Sequence, residues 1–205
     1  MSKSLNTLIV ALMLTGAGHA LAASSVDLAV RGLITPSACQ PSLSNSGVYD
    51  LGKISAKDLN ANTYTRLPKH TMQLDVTCEA PTLLALENKD NRAGSEFDEG
   101  GGFGLGMING TEKVGVLGAN LASSMADGVA ARTINAYMDG AWSAGDFVLP
   151  DYLISVANNS TLAPMPVQHW TADLILAPII AATNTLTLDN EAPIDGSVTL
   201  TVRYL

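Results

Sequence analysis

Gly196–Leu205, GSVTLTVRYL, alternates without a break: Val198, Leu200, Val202 and Tyr204 fall on one face and Thr199, Thr201 and Arg203 on the other. A period of two residues is that of a half-buried strand. The same period recurs near the other end in Val26–Ile34, VDLAVRGLI. There Val26, Leu28, Val30, Gly32 and Ile34 oppose Asp27, Ala29, Arg31 and Leu33. A third alternating run, His70–Cys78, places Met72, Leu74, Val76 and Cys78 together against Thr71, Gln73, Asp75 and Thr77. Strands at short intervals, frequent turn residues and no convincing helix predict an all-β protein, an antiparallel β-sandwich.

Residues 1–23 read as a secretory signal peptide. Lys3 is the only charge, Leu8–Leu14 (LIVALML) is a short apolar core, and Ala20-Leu21-Ala22-Ala23 supplies small residues for cleavage. That apolar run is too short to anchor in a bilayer, and so is Leu174–Ala182, which Pro178 interrupts. The remaining length suits one large domain. A formal net charge of −8 with no basic cluster argues against nucleic acid, anionic membrane surfaces and direct membrane insertion. Cys39 and Cys78 are the only two cysteines. In an exported chain such a pair is expected to form a disulfide, and closing the loop between them would stabilise the fold by about 4 kcal/mol. Two cysteines with no histidine nearby make a poor zinc site.

Between the alternating runs the pattern is weaker. Pro41–Gly47 is rich in turn formers, and Val48–Gly52 is a short run with Tyr49 and Leu51. Residues 53–68 read as a crossing loop. Thr82–Leu86 fits a strand or a helical turn. Residues 89–102 read as an acidic, glycine-rich loop without the ligand order of a calcium site. Asn109-Gly110 between the apolar runs Phe103–Ile108 and Lys113–Leu121 predicts a hairpin. Ala130–Met138 is open between a short helix and an irregular strand. Phe147–Leu149, Tyr152–Ile154, Trp170–Leu176 and Thr185–Leu188 read as short strands.

No catalytic template is present. The chain lacks G-x-S-x-G, S-x-x-K, H-E-x-x-H and a Walker loop, and Gly100–Gly106 has the wrong spacing for phosphate. Of the two histidines beyond residue 23, His70 and His169, His169 reads as a surface or strand-edge residue, and Trp142 and Trp170 read as core. The expectation is a protein that is not an enzyme and needs no cofactor or metal.

Three features together resemble the subunits of chaperone–usher fimbriae. They are Leu28-x-Val30-x-Gly32-x-Ile34 followed by Cys39, Cys78 at the end of an alternating strand, and the C-terminal strand with Tyr204 as its penultimate residue. The Phe103-Gly104-Leu105-Gly106 run is also similar to a proteobacterial family of secreted fimbrial-like proteins. The chain departs from typical pilins in the placement of Gly196, closer to the penultimate aromatic, and in its long glycine-rich middle.

The resemblance implies a signal peptide over 1–23, an N-terminal donor-strand extension over 24–36, and over 37–205 an immunoglobulin-like sandwich that lacks its last strand. Val26, Leu28, Val30, Gly32 and Ile34 would then fill a neighbouring subunit, and Val198, Leu200, Val202 and Tyr204 would edge the groove that receives them. The implied partners are other fimbrial subunits of the same or another kind, a periplasmic chaperone and an outer-membrane usher. The implied route is export through the periplasm to a surface fimbrium used in adhesion and biofilm formation. The rival expectation is a self-complete periplasmic or secreted binding domain that never polymerises.

Overall fold

A computed structural model describes residues 29, 38–97, 101–138 and 140–205. The expected signal peptide and the candidate donor residues Val26, Leu28, Val30, Gly32 and Ile34 lie outside the described residues. Fourteen strands follow in order among the described residues. They are β1 (Cys39–Leu43), β2 (Thr65–Arg66), β3 (His70–Thr82), β4 (Leu84–Asp90), β5 (Phe103–Gly104), β6 (Met107–Ile108), β7 (Glu112–Lys113), β8 (Gly115–Ala126), β9 (Val129–Ala130), β10 (Arg132–Tyr137), β11 (Ser143–Ala144), β12 (Tyr152–Ala157), β13 (Val167–Ile180) and β14 (Val198–Tyr204).

Every pairing is antiparallel. The first sheet has the order β1-β3-β13-β8-β5, with β2 also on β13 and β9 on β8; the second has the order β11-β10-β12-β4-β14. Strands β6 and β7 form a separate hairpin around Asn109-Gly110, as that dipeptide predicts.

The alternating sequences explain why the sheets face each other. In β3 the buried residues are Met72, Leu74, Val76 and Cys78, and in β13 the even positions from Trp170 to Ile180 are buried. The four β3 residues and Trp170, Ala172, Leu174 and Leu176 of β13 pack against Leu84 and Leu86 of β4 and Ile154 and Val156 of β12 in one core. Each such aliphatic side chain removed from water contributes about 1.5–3 kcal/mol. Cys39 and Cys78 oppose each other across β1 and β3 and are joined by a disulfide. Such bonds persist in chains that fold outside the reducing cytosol, which fits export. Among the described residues no helix is long and apolar enough to cross a membrane.

Several local readings change. Ala130–Met138 resolves into β10, a strand paired on both sides. Thr82–Leu86 divides, because β3 continues to Thr82 and β4 starts at Leu84 and reaches Asp90. The loop expected from residue 89 therefore begins two residues later. Thr185–Leu188 is not a strand; a 3-10 turn ends at Thr185, and the Thr187 amide donates to the Glu112 carboxylate instead of a ladder. Phe147 makes a single bridge to Asn120. Trp170 is fully buried as expected, whereas Trp142 is only half-buried.

The Phe103-Gly104-Leu105-Gly106 run is threaded through a tight polar cradle. Buried Asp90 accepts the amides of Arg92 and Gly104, and Ser95 Oγ accepts the amide of Gly106 at 3.1 Å. A Cβ on Gly104 would fall on Ser95 Oγ and the Arg92 carbonyl oxygen, so only glycine fits without movement of the cradle. Gly104→Ala is expected to cost about 1–3 kcal/mol in chemical denaturation. A variant as stable as the parent would contradict this packing.

Candidate functional site

Strand β14 is the edge of its sheet: among the described residues it pairs with β4 alone. The amide of Asn91 donates to the carbonyl of Ser197, and the amide of Leu205 donates to that of Leu83. Because hydrogen-bonded and non-bonded pairs alternate along an antiparallel ladder, the odd residues of β14 bond to β4. The N–H and C=O groups of Val198, Leu200, Val202 and Tyr204 therefore point along the open edge. Their side chains divide between core and rim. Val198, Leu200 and Val202 are half-buried and pack on the core, while Tyr204 is exposed. The alternation that identified these four residues thus places three apolar side chains, and four backbone positions with no ladder partner among the described residues, beside the same groove.

The facing wall is β1 and the turn after it. Leu43 and Gly47 stand across from Val198 and Leu200 in a section of about 450 Å³ with Leu74 at its base. A deeper cavity of about 200 Å³ continues from it, lined by Tyr49, Leu51, Phe103, Leu105 and Val148. Tyr49 stacks on His70 with ring centroids 4.4 Å apart, and burial lifts its hydroxyl pKa above the ordinary value. At the far end the Cys39 amide donates to Tyr204 Oη at 3.0 Å, which brings β1 onto the end of β14. The disulfide holds β1 in that place.

The start of β14 is clamped by groups that sequence patterning does not mark. Arg92 makes two bonds to Asp195, Nε to Oδ2 and Nη2 to Oδ1, each at 2.9 Å. Asn91 Nδ2 donates to Ser197 Oγ and Thr199 Oγ1, and the Asp195 amide donates to the Leu105 carbonyl. Bidentate arginine–carboxylate pairing fixes orientation as well as distance. The rim of the groove is thereby held from the side of β4, independently of any occupant. Apart from Thr199 of β14 these residues lie outside the strands, where a sequence shows polarity but no period.

The groove is lined mainly by aliphatic and aromatic side chains, with Ser42, Ser46 and Ser197 among them, and among the described residues no cluster of three histidine, cysteine or acidic side chains could hold a metal ion. His169 lies on the outer face of the first sheet, paired with Asp75. What the arrangement can do is take in an extended, alternating apolar segment and satisfy the open backbone edge.

A family model described as "Protein of unknown function (DUF1120)" matches residues 28–103, a span that includes both cysteines and ends at Phe103. The chain is 27% identical over 250 residues to "Protein GltF" of Escherichia coli (strain K12), covering 99% of this chain and 98% of that protein. It is also 34% identical over 89 residues to "Uncharacterized protein YhcF" of the same organism, covering 42% of this chain and 37% of that protein.

Beyond the groove, the β6–β7 hairpin is tied to the loop before β14 by Glu112. Its carboxylate accepts the Thr187 amide at 2.6 Å, the Thr187 hydroxyl at 2.8 Å and the Asn109 side-chain amide at 3.1 Å. The Thr187 bonds, backbone first, hold the Glu112 pKa below its ordinary value. The tie is therefore complete above the ordinary glutamate pKa and is lost only as pH falls through the lower, folded value. An NMR titration should place Glu112 below the exposed glutamates, with the Thr187 amide shift following the same curve. Titration of Glu112 at or above those glutamates would contradict it.

Proposed function

We propose that this chain is a structural subunit of a chaperone–usher surface fimbria that polymerises by donor-strand complementation. The single observation that carries the reading is the open edge of β14 beside an apolar groove. In the immunoglobulin-type sandwich, strands A, B, E and D form one sheet and C, F and G the other. Assigning β1, β3, β13 and β8 to A, B, E and D reproduces their order in the first sheet, and β4 and β14 then take the places of C and F. Among the described residues no strand occupies the place of G, on the open side of β14. The β10–β12 pair extends the second sheet on the far side of β4, and it enters between D and E in the chain.

Among the described residues the place beside β14 has an apolar floor, and an edge of this kind invites pairing with another chain. The N-terminal extension, residues 24–36, supplies a matching segment: Val26, Leu28, Val30 and Ile34 present aliphatic side chains at alternate positions, with Gly32 among them. Four such side chains at about 1.5–3 kcal/mol each contribute on the order of 6–12 kcal/mol before ordering costs. The backbone ladder adds to this. Until a neighbour arrives, a periplasmic chaperone fills the groove, and the outer-membrane usher exchanges that strand for the next subunit's extension. The assembled fibre serves adhesion and biofilm formation.

Deletion of residues 24–34 tests the proposal. The intact subunit, expressed with its chaperone and usher, is expected to give a ladder of denaturation-resistant multimers, and the deletion to abolish it. A ladder unchanged by the deletion overturns strand exchange. So does an intact mature chain that stays a stable monomer with no chaperone present, which would favour the self-complete binding domain.

A further inference from the structure

The tie between Glu112 and the loop before β14 runs through a residue that can change its own chemistry. Asn109-Gly110 is the tip of the β6–β7 hairpin, and both residues are exposed with positive φ, 50° and 84°. Asn109 Nδ2 donates to Glu112 Oε2 at 3.1 Å and to the Thr187 carbonyl at 3.4 Å. The same Glu112 carboxylate accepts the Thr187 amide and hydroxyl. One amide side chain and one carboxylate therefore hold both the N–H and the C=O of Thr187. Among the described residues the other polar tie made by residues 187–194 is the Lys53–Glu191 pair, which is almost fully exposed. An exposed pair of this kind contributes little.

Asn109-Gly110 is the one Asn-Gly pair in the sequence. In such a pair the glycine nitrogen reaches the asparagine side chain readily, because glycine carries no side chain to block the approach. Nothing lies within 4 Å of the place a Cβ on Gly110 would take. In the reaction the Gly110 nitrogen bonds to Asn109 Cγ and the Cγ–Nδ2 bond breaks. Ammonia leaves, carrying the Gly110 amide proton, and a five-membered succinimide remains. Water then adds to one of its two carbonyl carbons and opens the ring to aspartate or isoaspartate.

We propose that Asn109 is a deamidation site, with water as the co-reactant, and that its conversion is a one-way release of the segment running from Thr187 toward β14. Conversion replaces the donor Nδ2 with an acceptor oxygen. Two hydrogen bonds become repulsive contacts, a carboxylate against Glu112 and a carboxylate against the Thr187 carbonyl. The isoaspartate product also adds a carbon to the backbone of the turn, in a hairpin held by only two residue pairs, Met107 with Lys113 and Ile108 with Glu112. Leu186 and Leu188, on either side of Thr187, line an apolar pocket of about 250 Å³ with Ile54 and Ile108, so the release frees one wall of that pocket. Ring closure turns the side-chain amide off both of its partners. The bonds that hold Thr187 therefore slow the reaction that destroys them.

The test incubates the full chain in warm neutral buffer, with peptide mass spectrometry to follow conversion and NMR hydrogen exchange to follow the Thr187 amide. Asn109 is expected to convert faster than any other asparagine. In the converted fraction the Thr187 amide should exchange about tenfold faster, the effect of one lost hydrogen bond. Asn109→Asp should show that fast exchange from the outset and move the Glu112 titration upward, because a like charge replaces a donor. Asn109→Gln keeps an amide but closes a six-membered ring far more slowly, and should keep Thr187 protected through the same incubation. Conversion of Asn109 no faster than that of the other asparagines overturns the site. A Thr187 amide as protected in Asn109→Asp as in the parent overturns the release.

Discussion

The structure depends on strand β14, which among the described residues is paired on one side only, with β4. Strand β14 gives its odd backbone groups to β4 and turns the groups of Val198, Leu200, Val202 and Tyr204 toward a groove floored by the core. An unpaired, apolar-sided strand edge is a template for another strand, and natural sheets usually shorten, charge or cover such an edge. Here the neighbouring features preserve it. The disulfide fixes β1 as the opposite wall, and the Arg92–Asp195 and Asn91–Ser197 bonds fix the start of β14.

The same economy explains the glycine-rich middle of the chain. The Phe103–Gly106 run crosses beneath the start of β14, with Phe103 in the core and Leu105 lining the groove. The buried Asp90 and Ser95 bond its amides. A Cβ on Gly104 would push against the cradle, so the run read from the sequence as one side of a hairpin also forms part of the groove wall. Its glycines serve close approach of backbone to backbone.

The parts of this architecture that rest on period two were legible in the sequence. Val198–Tyr204 and His70–Cys78 form strands with the expected faces inward, save that Tyr204 is exposed, and Cys39 and Cys78 are joined. The hairpin at Asn109-Gly110 was equally plain, because that dipeptide accepts the positive φ its turn requires. What was not legible depends on distant partners. Thr185–Leu188 has a strand's alternation, yet Glu112 captures the Thr187 amide. The Arg92–Asp195 clamp joins the turn after β4 to the segment before β14, far apart in sequence, and no local pattern announces it. An apolar pocket beyond the groove has the same origin, since the loops of residues 54–59 and 186–194 meet Ile108 of β6 and Ile180 of β13 to build it.

The central claim, that alternate backbone groups of β14 await a strand, is tested most directly by amide hydrogen exchange on the chain without residues 24–36. The account predicts that the amides of Val198, Leu200 and Val202 exchange at least tenfold faster than those of Thr199, Thr201 and Arg203. It also predicts that adding the Val26–Ile34 peptide brings the two sets to similar protection. Equal, slow exchange of both sets before any peptide is added would contradict it, because the edge would then already be filled.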